Sequence, residues 1–378
     1  MAGIYIHVPF CRKACHYCDF HFSTQRNHVE EMIRCMLREL ALRKNFLKDH
    51  SIGTIYFGGG TPSLLPVKDI GSFLENIHQH FRIDPSPEIT LEANPDDLTE
   101  NYLRELKKCG INRLSIGIQS FHNHFLQYLN RIHSAEQAIQ AYQLARQQGF
   151  SNINIDVIYA IPGQTRHELE YDIDMAIRLQ PEHISAYILT IEDGTVLGNW
   201  YKRGKLAPFP EDEAATFFEL MSGKLTAAGY EHYEISNFAR PSFLSIHNSN
   251  YWKQVPYLGI GPGAHSFNGI VRQVNIPNNP EYCRQIQKDI VPLTTEFLSH
   301  ENRINEYILT SLRTSWGLDL NYLKNNFDYT LPEHQHRMLA EWESMGLAEV
   351  KQDVVRLTLR GRLLADRLSS ELFVVEKN

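Results

Sequence analysis

The feature that most constrains this chain is a repeat. Six short apolar runs with strand character alternate with longer amphipathic stretches through the first half. The runs lie at residues 4–8, 54–57, 89–92, 113–119, 152–159 and 183–189. Between them, residues 29–45 place Met32, Ile33, Met36, Leu37, Leu40 and Ala41 at helical spacing, and residues 67–81, 99–109, 135–148 and 167–179 follow suit. Strands separated by helices predict an α/β fold with a parallel sheet. The repeat count of six predicts a partial (β/α)6 TIM-like barrel with an open side; an open doubly wound sheet is the alternative. Cys11, Gly59, Glu92, Gln119 and Asp156 all fall at or after strand C-terminal ends, the ligand-binding face of barrel folds.

Beyond Thr190 the pattern loosens. A helix is expected at 211–228, followed by the run Tyr230 to Ile235. Prolines at 256, 262, 277, 280 and 292 mark a loop-heavy section. From about residue 300 a small helical unit is expected, with helices at 302–314, 320–325 and 333–345 and a two-stranded wing at 350–359. That order resembles a winged helix. The expected divisions are a barrel over 1–190, a barrel-completing segment over 191–299 and a winged-helix-like domain over 300–378.

Charge narrows the use of that last unit. The 378 residues carry 37 Lys and Arg against 44 Asp and Glu, a formal charge of -7. A phosphate-backbone binder needs a basic surface, so packing or partner docking is expected there and no nucleic acid. No apolar run reaches the length of a membrane helix, and the N-terminus lacks a basic region followed by an apolar one. The chain is expected to be cytoplasmic, not an integral membrane protein, with its thiols reduced.

Three of the six cysteines crowd into eight residues as Cys11-x3-Cys15-x2-Cys18, directly after the first strand and Pro9. Three thiolates on one short loop can converge on a single inorganic centre. A four-iron cluster held this way keeps one iron open for a small ligand. A zinc knuckle completed by His16 or His21 is the alternative. Cys35, Cys109 and Cys283 are scattered and read as ordinary residues. One strand–helix unit later comes Gly58-Gly59-Gly60-Thr61-Pro62. Glycines let a backbone approach a ligand closely, and this run is neither a phosphate loop nor a dinucleotide fingerprint. Glu92, Gln119, Arg131 and Asp156 are each ordinary loop polar groups taken singly. Together, carboxylates suit ribose hydroxyls or an ammonium, and Arg131 suits a carboxylate.

The cysteine spacing, with Tyr17 before the third cysteine, resembles the radical SAM superfamily, in which the open iron is chelated by S-adenosylmethionine. Tyr5-Ile-His-Val-Pro-Phe-Cys11, Phe57 to Pro62, Gly117 to Phe121, Leu129 to Arg131, Asn154 to Asp156 and Pro162 to Gln164 are similar to the oxygen-independent coproporphyrinogen III oxidase group over nearly the whole chain. The resemblance implies that Cys11, Cys15 and Cys18 hold a [4Fe-4S] cluster. It implies that Tyr5, Gly59 and Glu92 contact the iron-bound S-adenosylmethionine. Gly60, Thr61, Gln119, Arg131 and Asp156, with Tyr17, line a second cofactor position. Two departures weigh against the decarboxylase. Phe20 stands where the oxidases carry a further cysteine, and only ten residues precede Cys11.

His247-Asn-Ser-Asn-Tyr251-Trp252 matches an H-N-x-x-Y-W element of the heme-chaperone branch of this group. A histidine beside Tyr and Trp offers an axial ligand and aromatic surfaces for a porphyrin. The resemblance therefore implies a heme-binding protein, with His247, Tyr251 and Trp252 as heme contacts and no catalytic residue of its own. Its cargo would pass to acceptor heme proteins, respiratory and membrane-associated ones included. The rival is radical oxidative decarboxylation of coproporphyrinogen III.

Overall fold

A computed structural model describes residues 1–47 and 51–374. Strands β1 (Ala2–Val8), β2 (Ile52–Gly59), β3 (Ile83–Ala93), β4 (Arg113–Gln119), β5 (Ile153–Tyr159) and β6 (His183–Ile188) pair in sequence order, all parallel. Helices Val29–Leu42, Val67–His80, Glu100–Cys109, Ala135–Gln147 and Arg166–Leu179 make the crossovers. Ser134 and Thr165 open two of them with reciprocal capping boxes, so these starts are written into the sequence.

Strands in a parallel sheet covered on both faces usually read as unbroken apolar runs. These alternate. Ile4, Ile6, Ile55, Phe57, Leu91, Leu114, Ile116, Ile153, Ile155 and Ile184 pack outward into the main hydrophobic core. The intervening residues are polar, and Tyr56, Glu92, Ser115, Asn154, Asp156 and Ser185 line one shared cavity. A single cavity ringed by residues of five successive strands requires a curved sheet, so the partial barrel stands and the open doubly wound sheet does not.

The barrel stays open because its ends are extended, not joined. Against β6 lie the antiparallel strands β8 (Asn237–Ala239) and β7 (Glu231–Glu234). Against β1 lies β9 (Tyr257–Ile260), again parallel, then β10 (His265–Phe267), β11 (Val271–Asn275) and β12 (Leu293–Phe297). All twelve strands form one sheet whose outermost members are β12 and β7. The section expected to be loop-heavy thus supplies six strands of three to five residues. Runs that short show no readable period, and their pairing partners are distant in sequence. The buried carboxylate of Glu39 ties this edge down, accepting hydrogen bonds from Gly261 N, Asn275 Nδ2 and the Tyr282 hydroxyl.

Residues from Ile304 to Leu372 build a second, separate core around Ile308, Leu312, Leu323, Trp342 and Val355. Three helices, His300–Leu312, Leu320–Phe327 and Glu333–Ser344, precede a hairpin of β14 (Ala348–Lys351) and β15 (Val354–Leu357), with β13 (Leu318–Asp319) on its far edge. The two turn residues, Gln352 and Asp353, both have positive φ, as a tight hairpin needs. This unit seats on the end of the barrel: Ser315 N donates to Tyr233 O at 2.9 Å, and Arg313 reaches Glu234 at 3.5 Å.

Candidate functional site

The cavity at the C-terminal ends of β1 to β6 has a volume of about 480 Å³. Cys11, Cys15, Cys18, Tyr17, Gly59, Gly60, Thr61, Glu92, Gln119, Arg131 and Asp156 all line it, so residues spread over 146 positions are brought to one chamber. Tyr5 sits just behind the wall: its hydroxyl pairs with His7 Nδ1 at 3.1 Å.

The cysteine loop is held from several directions. His7 Nε2 donates to His21 O at 2.8 Å, His16 N donates to Leu129 O, and the Asn130 amide donates to Ala14 O at 2.6 Å. Thr61 Oγ1 donates to Cys11 Sγ and Arg131 Nη1 donates to Cys15 Sγ, each at 3.4 Å. Burial pushes the free thiols of Cys11 and Cys18 up to about 11 and about 12. They become thiolates when a cationic centre replaces the proton. Among the described residues no three His, Cys, Asp or Glu side chains converge tightly enough for a single metal ion. His16 and His21 spend a ring nitrogen on Tyr128 O and Asn279 Oδ1 respectively, and neither lines the cavity. Three thiols around a roomy chamber fit a cluster larger than a single ion.

The glycine run borders the chamber with Gly59 and Gly60, and it also packs closely within the chain. A Cβ on Gly60 would stand 2.6 Å from Phe10 O, one on Gly59 2.7 Å from the His7 ring, and one on Gly58 2.9 Å from the rings of Tyr5 and Tyr56. The glycines let β2 close against the strand that delivers the cysteines. Gly60 N donates to Val8 O at 2.8 Å in that contact. Gly117 likewise makes room for the Gln119 amide, whose backbone is held at φ 71°.

Glu92 and Asp156 are the acids of the chamber's inner part. Burial pushes Glu92 up to about 7, with the charge of Asp156 adding; the Tyr56 hydroxyl opposes this by donating to Oε1 at 2.8 Å. Asp156 is raised by burial too, against hydrogen bonds from Asn154 Nδ2 at 2.8 Å and Ser115 Oγ at 3.4 Å. Two carboxylates that gain by ionising next to a cation suit an ammonium or sulfonium. Arg131 donates to Asn94 Oδ1 and Gly117 O, and its buried Nε has no partner among the described residues. That unspent donor suits a carboxylate. Sequence reasoning missed Tyr56, Asn94, Asn154 and Ser115; the polar alternation of the strands was the signal that could have found them.

His247, Tyr251 and Trp252 do not line this chamber. They lie on the helix Ile246–Trp252, which plugs the opposite end of the barrel. His247 is 2% exposed; its Nδ1 pairs with Thr54 Oγ1 at 2.8 Å, and its Nε2 pairs with the Tyr251 hydroxyl at 2.9 Å. Its ring stacks on Tyr56 at 4.9 Å. Burial lowers its pKa to about 3, so it is neutral. With both nitrogens engaged, it is not presented as an iron ligand in this structure. Of the hexapeptide only Asn248 lines the chamber. Trp252 faces the C-terminal unit, with the Arg313 guanidinium 5.3 Å from its ring centroid. A histidine followed by Tyr and Trp looks the same in sequence whether it serves as a floor or as a ligand.

The radical SAM superfamily model matches residues 5–176, and the HemN C-terminal domain model matches residues 298–364. The heme chaperone HemW of Bacillus subtilis strain 168 is 33% identical over 373 residues, covering 97% of this chain and 98% of that one. The protein of the same description from Mycobacterium tuberculosis H37Rv is 34% identical, covering 96% and 93%. Among solved structures, the radical SAM enzyme coproporphyrinogen III oxidase (HemN) of Escherichia coli superposes with a TM-score of 0.86 at 22% identity, covering 99% of this chain and 90% of that one. That likeness concerns the fold.

Proposed function

The chain belongs to the HemW heme-chaperone family of radical SAM proteins, and from that premise we propose that it binds heme and hands it to acceptor heme proteins. The whole-length match carries this reading, because it spans the cysteine loop, the barrel and the C-terminal unit alike. Membership brings a [4Fe-4S] cluster and S-adenosylmethionine. Cys11, Cys15 and Cys18 hold the cluster; Glu92 takes the positive end of the cofactor on it, and Arg131 and Asp156 line the second cofactor position. When bound, the pair supplies either a fixed structural centre or reductive cleavage of the sulfonium. The residues of the chain bind, orient and screen: Thr61 and Arg131 donate to the sulfurs, and Tyr56 holds Glu92 in place.

Among the described residues no helix is long and apolar enough to cross a membrane. Reduced thiols on an open loop favour the cytoplasm, with acceptors reached at the respiratory membrane. Coproporphyrinogen decarboxylation is the second reading, supported by the fold likeness and the HemN C-terminal domain match and opposed by Phe20 in place of a further cysteine. Anaerobic titration of the cluster-loaded protein with heme, followed at the Soret band, tests the proposal. Saturation near one heme per chain is expected, and the absence of saturable binding overturns it.

A further inference from the structure

Three of the chain's exposed large apolar side chains border one cavity: Phe20 at 64% exposure, Ile188 at 43% and Tyr187 at 41%. Phe22, Ile158 and Leu189 continue the same lining inward. The chamber is therefore two-sided in chemistry. Its inner part is polar and carries Glu92, Asp156 and Arg131, whereas its mouth has an exposed apolar side. Convergent exposed apolar side chains rimmed by polar groups mark a binding surface. Lys13 is the one exposed cation among the described lining residues, and Asp19 and Glu192 are the exposed carboxylates. Among the described residues no histidine lines the cavity.

We propose that the apolar side of this mouth, Phe20 with Phe22, Tyr187 and Ile188, is where the chain takes one face of the heme, and that the plug histidine is not its anchor. This rests on the heme-carrier reading above. A planar tetrapyrrole offers a wide apolar face and an anionic propionate edge. The face matches the aromatic and aliphatic rim. The edge is drawn toward Lys13 and pushed away from Asp19 and Glu192. Phe20, two residues after Cys18, would then put the cargo over the cluster loop. Held by its face, with no histidine from the cavity wall on the iron, such a heme can leave without breaking a histidine–iron bond. That suits a carrier.

The test compares wild type, the double variant Phe20→Asp/Ile188→Asp and Lys13→Glu, each as the full cluster-loaded chain. Heme is titrated anaerobically, and the iron–sulfur absorbance of each protein is recorded first. Both substituted positions of the double variant are exposed, so the fold and the cluster are expected to persist. Its heme affinity should fall at least tenfold, and Lys13→Glu should weaken binding several-fold. Wild-type binding retained within twofold in the double variant overturns this subsite while leaving the carrier reading intact. So does unchanged affinity with slower transfer to an acceptor, which would make the patch a protein-docking surface. Failure of wild type to bind heme overturns the carrier reading and the subsite with it.

Discussion

Glu92 shows how the chamber sets the ionisation of a single residue. Held near 7 mainly by burial, it is protonated in the folded cofactor-free protein where an unfolded chain has already lost that proton. Its stabilising effect is full below the ordinary carboxylate range and is lost as pH rises through about 7. Glu92→Gln should therefore raise the melting temperature of cofactor-free protein at pH 8 relative to wild type and change it little at pH 5. Equal shifts at both values would contradict the assignment. His247→Ala is a second residue-scale case. It empties a packed site and strands Thr54 Oγ1 and the Tyr251 hydroxyl, costing about 2–4 kcal/mol in a denaturant melt. The iron–sulfur absorbance should survive if the plug is only a floor. Cys15→Ser should do the opposite, removing that absorbance with little effect on the thermal stability of the cluster-free chain.

At the scale of elements, the plug helix depends on a strand far from it in sequence. Glu88 of β3 accepts hydrogen bonds from Ile246 N and His247 N at the helix start and stands 4.0 Å from the buried guanidinium of Arg113. Glu88→Ala would free two helix-end donors and leave Arg113 with an uncompensated charge, a loss of about 3–5 kcal/mol. Urea melts would register it; a loss under 1 kcal/mol would show that solvent reaches Arg113. The six barrel strands were legible because each is five or more residues with apolar periodicity, and Arg113–Gln119 matches its expected bounds. The plug was not, since Ile-His-Asn-Ser-Asn-Tyr-Trp has no apolar stripe and is held by Ser245 and Glu88. The glycine run was legible as a place of close backbone approach, but its packing against the backbone of Phe10 was not, because that neighbour lies about fifty residues away in sequence.

At the scale of the molecule, one sheet joins the barrel to its late strands, and a second core is fastened to the floor. The plug helix stands between the chamber and the C-terminal unit, with His247 stacked on Tyr56 on one side and Trp252 under the Arg313 guanidinium on the other. The spacing of the three cysteines marked one shared centre, and it took the glycine run beside it to favour a cluster over zinc; the structure brings both to one chamber. The apolar mouth was not readable, because Phe20 and Ile188 meet only after six strands have curled. Heme hand-over is the most direct test of such a molecule. The cluster-loaded, heme-loaded full chain is mixed anaerobically with an apo heme protein, and the Soret band of each is followed. Heme should pass to the acceptor stoichiometrically while the iron–sulfur absorbance stays with the donor. Heme that remains on the chain under excess acceptor would make it a resident cofactor and contradict a carrier.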